Sequence, residues 1–127
     1  MRLRGSETVL AVDDDPALID LVEEILTPLG YKVIVAASGE EALEMMSDQQ
    51  EKIDLLLIDV VLPGIKGQEL AKRLLIAYPE LRVLFMSGYL CPSMAHNGSE
   101  HGFESFIQKP FAPNSLLRKM RKLLDEN

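Results

Sequence analysis

The sequence contains only one cysteine, Cys91, among its 127 residues. A single cysteine excludes an internal disulfide framework and any metal site built from several cysteines. No apolar run approaches the roughly 20 residues of a membrane-spanning helix, and the amino-terminal residues lack the apolar segment of a signal peptide. Repeats and low-complexity tracts are also absent. These absences favour a small soluble domain, which we expect in the cytoplasm.

Basic residues are scarce, since 13 Lys and Arg stand against 20 Asp and Glu, giving a net charge of −7. Nucleic-acid binding depends first on neutralising phosphates, so we expect no contact with nucleic acid. We also expect no membrane contact by this domain. Residues 13–59 hold 13 acidic and 2 basic side chains, which suits a metal cation or a basic partner surface. The basic residues of the last helix are interpreted as a solvated face: Arg118, Lys119, Arg121 and Lys122.

The chain alternates short apolar runs with amphipathic segments. The runs predict strands at residues 9–12, 32–36, 53–58, 82–86 and 105–108, and the spacing predicts helices at 17–29, 39–47, 68–77 and 113–124. Continuously apolar strands alternating with helices indicate an α/β fold with a doubly wound, five-stranded parallel sheet covered on both faces. The stretch from Leu90 to Gly102 lacks helical periodicity, so the fourth helix is expected to be weak or replaced by a loop. Residues 1–7 are interpreted as a tether and residues 8–127 as the domain.

Polar side chains follow the predicted strands, at the sheet edge where such folds bind ligands. They are Asp13, Asp14 and Asp15 after the first strand, Asp59 after the third, Ser87 after the fourth and Lys109 after the fifth. Asp15 precedes Pro16 and a helix, so it is expected to be the helix N-cap. Asp13, Asp14 and Asp59 would repel one another unless a cation offset their charge, and a small cluster of oxygen ligands favours Mg²⁺.

Lys109 precedes Pro110 at a strand end, and a cis bond there is a hypothesis for aiming the lysine at the same edge. Ser87 and Gly88 supply a hydroxyl and an unhindered backbone N–H, which suit a tetrahedral anion. A nucleophilic carboxylate, a divalent metal, a lysine and hydrogen-bond donors are the parts that phosphoryl transfer requires.

These residues resemble the receiver domain of two-component response regulators, the chemotaxis-regulator-like family. The matching motifs are Val12-Asp13-Asp14, Asp59-Val-Val-Leu-Pro63 with Gly67, Met86-Ser87-Gly88 and Lys109-Pro110-Phe111, within a match from about Thr8 to Leu124. The resemblance implies the flavodoxin-like strand order 2-1-3-4-5 and bacterial-type phosphorelay signalling.

The resemblance also implies a role for each acidic residue. Asp59 would accept a phosphoryl group from the phosphohistidine of a histidine kinase or a histidine phosphotransfer domain. Asp14 and Asp59 would bind Mg²⁺ directly, together with the Val61 backbone carbonyl, and Asp13 would contribute through a metal-bound water. Such a domain phosphorylates and dephosphorylates itself but turns over no metabolite.

The other motif residues would act on the acyl phosphate. Lys109 would pair with it, while the Ser87 hydroxyl and the Gly88 N–H would receive its oxygens. Phe106 matches the aromatic residue that switches together with Ser87, although an ordinary buried phenylalanine is an equal interpretation. Tyr89 is a candidate shield of the acyl phosphate against water.

Several contexts remain open. The chain resembles the C-terminal receiver of a hybrid sensor histidine kinase, and a stand-alone regulator is the alternative; either could form a phosphorylation-dependent homodimer. A haloacid-dehalogenase-type phosphatase using Asp13 fits poorly, because Pro16 and the separate Asp59 motif do not match its signature. A phosphorylation-independent pseudo-receiver is disfavoured because the acidic residues and Lys109 are all present.

Overall fold

Strands and helices alternate in the computed structural model, which describes residues 3–48, 52–88 and 105–125. The strands are β1 (Thr8–Val12), β2 (Lys32–Ala36), β3 (Leu55–Asp59), β4 (Arg82–Ser87) and β5 (Phe106–Gln108). The described helices are α1 (Pro16–Leu26), α2 (Gly39–Asp48), α3 (Gly67–Ala77) and α4 (Pro113–Asp125). Each of these elements begins and ends within three residues of its predicted bounds. None of the described helices has the length and apolar character needed to cross a bilayer.

All five strands belong to one parallel sheet in the order β2-β1-β3-β4-β5. The predicted doubly wound topology and its strand order are therefore confirmed. The order reverses at β1, since β2 lies on one side of it and β3 on the other. In open parallel sheets, ligands bind outside the carboxyl ends of the strands at such a reversal.

Two apolar cores cover the two faces of the sheet, which explains why the central strands β1 and β3 are apolar except at Thr8 and Asp59. In β1, Leu10 and Val12 pack in one core, where the helical residues come from α2 and α3. Val9 and Ala11 pack in the opposite core, where they come from α1 and α4. All five residues of β1 and of β3 are buried. The sheet is thus a rigid platform for the residues that follow its strands.

Two sequence expectations concern helices: where the first one ends and whether residues 90–102 form one. The first helix was expected to reach residue 29, but α1 ends at Leu26 and Thr27–Leu29 forms a 3₁₀ turn. Pro28 lies in this turn and lacks the N–H that would continue the α-helical hydrogen bonding. Gly30 follows with a left-handed φ of 103° and ends the turn. The expectation for Leu90 to Gly102 lies outside the described residues.

The interpretation of Arg121 as part of a solvated basic face is wrong. Arg121 is buried, with 8% of its surface exposed, and its guanidinium donates to Glu7 Oε1 at 2.7 Å and to the Tyr31 hydroxyl at 3.2 Å. Asp125, one turn later in α4, accepts a further hydrogen bond from it. Burial of an arginine is compatible with folding when acceptors surround it in this way. Arg118, Lys119 and Lys122 are exposed, as expected.

Candidate functional site

Three aspartates meet at the carboxyl edge of the sheet, as the sequence predicts. Strands β1 and β3 are neighbours in register, with Val12 opposite Ile58, so Asp13 and Asp59 follow these positions side by side. One carboxylate oxygen from each of Asp13, Asp14 and Asp59 lies within 4.8 Å of the others. Asp13 is 1% exposed and Asp59 is 8% exposed, whereas Asp14 faces solvent. The cluster therefore consists of two buried carboxylates and one that is exposed to solvent.

Lys109 supplies the positive charge in this cluster. Its Nζ lies 2.8 Å from Asp13 Oδ2 and 2.7 Å from Asp59 Oδ2, so one ammonium bridges the two buried carboxylates. The residue follows β5, and its backbone N–H donates to the Ser87 carbonyl at 2.7 Å. The Lys109–Pro110 peptide bond is cis, in agreement with the hypothesis from the sequence.

Backbone N–H groups satisfy the remaining oxygens of the two buried carboxylates. Asp13 Oδ1 accepts from the Asp15 N–H at 2.9 Å, and Asp59 Oδ1 accepts from the Val61 N–H at 2.9 Å. Each carboxylate thus has one oxygen on Lys109 and one on a loop amide. These bonds fix the orientation of both carboxyl groups, which an attacking nucleophile requires.

Burial and charge act in opposite directions on the pKa values at this site. Burial raises the pKa of the Asp13 carboxyl, and the hydrogen bonds and positive charge of Lys109 offset only part of that effect. Burial also lowers the pKa of Lys109, but its hydrogen bonds to Asp13 and Asp59 outweigh burial and leave the pKa raised. Lys109 therefore stays protonated at neutral pH and remains a fixed cation between the two acids.

Asp15 is the N-cap of α1, as its position before Pro16 predicts. Its Oδ1 accepts from the Ala17 N–H at 3.0 Å. The carboxylate is thereby committed to the helix terminus. Only the first two aspartates of the run belong to the described acidic cluster.

The other motif residues lie in β4 and β5 or directly after β4. Ser87 is the last residue of β4, half-buried, and pairs in register with Gln108, the residue before Lys109. Gly88 is exposed, and a Cβ built on it would contact nothing within 4 Å. Phe106 lies in β5 and stacks on Phe85 of β4, with ring centroids 5.7 Å apart. Its ring is half-buried and packs against the core on the α2 and α3 face.

A loop of residues 60–66 leads from Asp59 to α3. Gly67, the first residue of α3, has a steric role that the sequence motif did not explain. A Cβ on Gly67 would lie 2.3 Å from the Asp59 backbone carbonyl oxygen. The Gly67 N–H donates to the Val60 carbonyl at 3.3 Å. Helix α3 therefore begins in direct contact with the residue at the centre of the site.

Sequence reasoning missed Glu40, a residue in the first turn of α2. Its Oε2 accepts from the backbone N–H of Ile65, in the loop that follows Asp59, at 3.3 Å. The adjacent Gly64 has a left-handed φ of 74°. In the sequence, the Pro63-Gly64 pair indicates a turn here, but it does not indicate a contact with Glu40. Tyr89 and Cys91, which the sequence analysis considered, lie outside the described residues.

Comparison with known proteins places these features in a family. The model of the response regulator receiver domain matches residues 9–121. Sensor kinase CckA of Brucella abortus (strain 2308) is 35% identical over 124 residues, which cover 98% of this chain but only 13% of the kinase. Sporulation initiation phosphotransferase F of Bacillus subtilis (strain 168) is 31% identical over 119 residues, with 94% of each chain covered.

Solved structures agree with this assignment. A response regulator receiver domain protein (CheY-like) from Methanospirillum hungatei JF-1 superposes with a TM-score of 0.84 at 31% identity, covering 95% of each chain. Family match, relatives and fold therefore coincide over nearly the whole sequence. The chain belongs to the response regulator receiver domain family of two-component signalling.

Proposed function

We propose that this chain accepts a phosphoryl group on Asp59 from a phosphohistidine and thereby switches its protein contacts. The observation that carries the proposal is the position of Asp59. Its carboxylate ends a buried central strand, is oriented by the Val61 N–H and lies 2.7 Å from the Lys109 ammonium. A buried carboxylate held in this way is suited to be a nucleophile whose product anion is paired with a fixed cation.

Mg²⁺ is the proposed cofactor, because three carboxylates within 4.8 Å of one another form a hard-oxygen donor set that fits this ion. Asp14 and Asp59 would bind it directly, together with the backbone carbonyl of Val61, and Asp13 would act through a water. When bound, the ion supplies positive charge that stabilises the oxygens of the transferred phosphoryl group.

The proposed transfer uses Asp59 as nucleophile. One carboxylate oxygen forms the new O–P bond while the N–P bond of the phosphohistidine breaks and its electron pair returns to the imidazole. Lys109 then pairs with the acyl phosphate, and the Ser87 hydroxyl and Gly88 N–H donate to its oxygens. Movement of Ser87 towards the phosphoryl group would be coupled to Phe106, which is linked to β4 by its stacking on Phe85. Hydrolysis of the acyl phosphate by water resets Asp59.

The proposed phosphodonor is a histidine kinase or a histidine phosphotransfer domain. A receiver of a hybrid sensor kinase is the favoured context, since the Brucella abortus sensor kinase matches 98% of this chain within 13% of its own length. A stand-alone regulator is the second candidate, because the Bacillus subtilis phosphotransferase is matched over 94% of its length. In either context we propose a cytoplasmic domain without nucleic-acid or membrane contact, and a homodimer that depends on phosphorylation.

Intact mass spectrometry tests the proposal directly. After incubation with acetyl phosphate and Mg²⁺, the protein should gain one phosphoryl group. The gain should be absent in Asp59→Asn and after chelation of Mg²⁺. The site is contradicted if Asp59→Asn gains the same mass. Phosphorylation as such is contradicted if no mass is gained and beryllofluoride, an acyl-phosphate mimic, leaves the NMR spectrum unchanged.

The two other classes give different outcomes in the same preparation. Steady turnover of a chromogenic phosphate ester that is lost in Asp13→Asn and kept in Asp59→Asn would identify a haloacid-dehalogenase-type phosphatase. Partner binding that is unchanged in Asp59→Asn and by beryllofluoride would identify a pseudo-receiver. The proposal predicts neither result.

A further inference from the structure

Helix α2 touches the loop of residues 60–66 at its first turn. Glu40 Oε2 accepts from the Ile65 N–H at 3.3 Å, although the two residues are 25 positions apart. Gly39, the residue before Glu40, lets the helix backbone approach Ile65 closely. A Cβ on Gly39 would lie 2.9 Å from Ile65 Cβ and 3.2 Å from the Ile65 carbonyl oxygen. The contact thus joins a helix end to the loop that begins at the proposed phosphoacceptor.

Gly64 shows how closely the Glu40 side chain approaches this loop. A Cβ on Gly64 would lie 2.3 Å from Glu40 Oε2 and 2.9 Å from Oε1, so any other residue would displace the carboxylate. The left-handed φ of 74° also favours glycine at this position. The backbone conformation at Gly64 and the absence of a side chain there therefore both allow the Glu40 carboxylate to lie against the loop backbone.

The proposed phosphoacceptor contacts the start of the same loop and lies close to the glycine that follows it. The Val61 N–H donates to Asp59 Oδ1 at 2.9 Å, and Gly67 approaches the Asp59 carbonyl. Between these two contacts, Ile65 packs partly against the core and its N–H is held by Glu40. The Glu40 contact is therefore a polar restraint near the α3 end of the loop, four residues after Val61.

We propose that Glu40 is a positioning residue for the phosphoacceptor site: by holding the Ile65 N–H, it restrains the loop that carries Val61 and so sets the affinity of the site for Mg²⁺. The inference rests on the proposed function, in which the Val61 carbonyl is a metal ligand. Groups that orient metal ligands without touching the metal commonly affect its affinity. Glu40 lies on the protein surface, so its replacement is not expected to prevent folding.

Three variants separate the hydrogen bond from the charge. Glu40→Ala removes both, Glu40→Gln keeps a side-chain carbonyl that can accept from Ile65, and Glu44→Ala removes another exposed charge from the same helix. In the metal-free protein, amide exchange at Ile65 should become faster in Glu40→Ala alone. In an NMR titration, Mg²⁺ should bind Glu40→Ala about threefold to tenfold more weakly, the range expected for one lost hydrogen bond. Glu40→Gln and Glu44→Ala should stay close to the parent protein.

The outcomes distinguish this inference from the proposed function. If acetyl phosphate modifies Asp59 of the parent protein but Glu40→Ala binds Mg²⁺ with the parent affinity, the positioning role is overturned and the phosphoacceptor stands. If Glu40→Gln weakens Mg²⁺ binding as much as Glu40→Ala, charge rather than loop restraint is responsible, and the inference is again overturned. A parent protein that is not modified at Asp59 contradicts the proposed function, whatever the Ile65 amide does.

Discussion

Lys109 lies between two carboxylates that share a buried corner of the sheet edge. Its Nζ contacts Asp13 and Asp59 at 2.8 and 2.7 Å, while 23% of its own side chain is exposed. Like charges this close raise the free energy of the folded state unless a cation offsets them. Among the described residues, Lys109 is the cation that contacts both acids, so its contribution to folding and its proposed contribution to phosphoryl transfer rest on the same two contacts.

Replacing this lysine should therefore destabilise the metal-free protein. In Lys109→Met, two buried carboxylates lose their shared partner, and we expect the free energy of unfolding in urea to fall by about 3 kcal/mol, the low end for a broken buried pair because the lysine is partly exposed. Mg²⁺ should restore part of the loss, because it supplies positive charge to the same acids. Lys119→Met, on the exposed face of α4, is the matched control and should change stability by less than about 0.5 kcal/mol. Equal stability of the two variants would contradict the assigned role of Lys109.

At the scale of elements, the amino-terminal segment is joined to α4 by polar contacts at the opposite edge of the sheet. Arg121 of α4 donates to Glu7 Oε1, and the Tyr31 hydroxyl donates to the Leu3 carbonyl at 3.1 Å. A Cβ on Gly5 would lie within 2.6 Å of Glu7, Tyr31 and Arg121. Residues 3–7, within the segment that the sequence suggested as a tether, thus contact Arg121 of α4 and Tyr31, the residue before β2.

The Glu7–Arg121 pair gives this edge a predictable pH dependence. Burial raises the pKa of Glu7, but the hydrogen bond and charge of Arg121, together with the backbone N–H groups of Glu7 and Ser6, outweigh it, so the pKa lies below its usual value of 4.5. A lowered carboxyl pKa stabilises the folded state above the unfolded value, and this stabilisation is lost as pH falls through the folded-state pKa. The parent protein should therefore exceed Glu7→Gln in unfolding free energy at neutral pH, and the difference should shrink below pH 4.5. A difference that is independent of pH in urea titrations would contradict the pairing.

At the scale of the whole molecule, the features predicted from sequence are those that depend on strand ends and periodicity. Asp13, Asp59 and Lys109 each follow an apolar run, so a parallel sheet brings them to one edge whatever the details of packing. Asp15 was assignable as a helix cap because the residue after it is a proline. The strand order needed more than periodicity and came from the resemblance of the motifs to a known family.

What the sequence did not predict depends on single side chains that reach between distant elements. Arg121 follows the pattern of an exposed basic face, and its burial depends on Glu7 and Tyr31, which no local pattern places beside α4. Glu40 likewise resembles any acidic residue in a helix first turn, and its bond to Ile65 depends on the conformation of a loop. Such contacts are weak signals in a sequence, because many residue types fit each position locally.

The central claim is that Asp59, and no other carboxylate of the acidic cluster, carries the phosphoryl group. Borohydride reduction of the protein treated with acetyl phosphate, followed by tandem mass spectrometry, tests this most directly, since it converts an aspartyl phosphate into homoserine. We expect homoserine in place of Asp59 and unmodified Asp13 and Asp14. Homoserine at position 13 or 14, or an unmodified Asp59 in protein that has gained the phosphoryl mass, would contradict it.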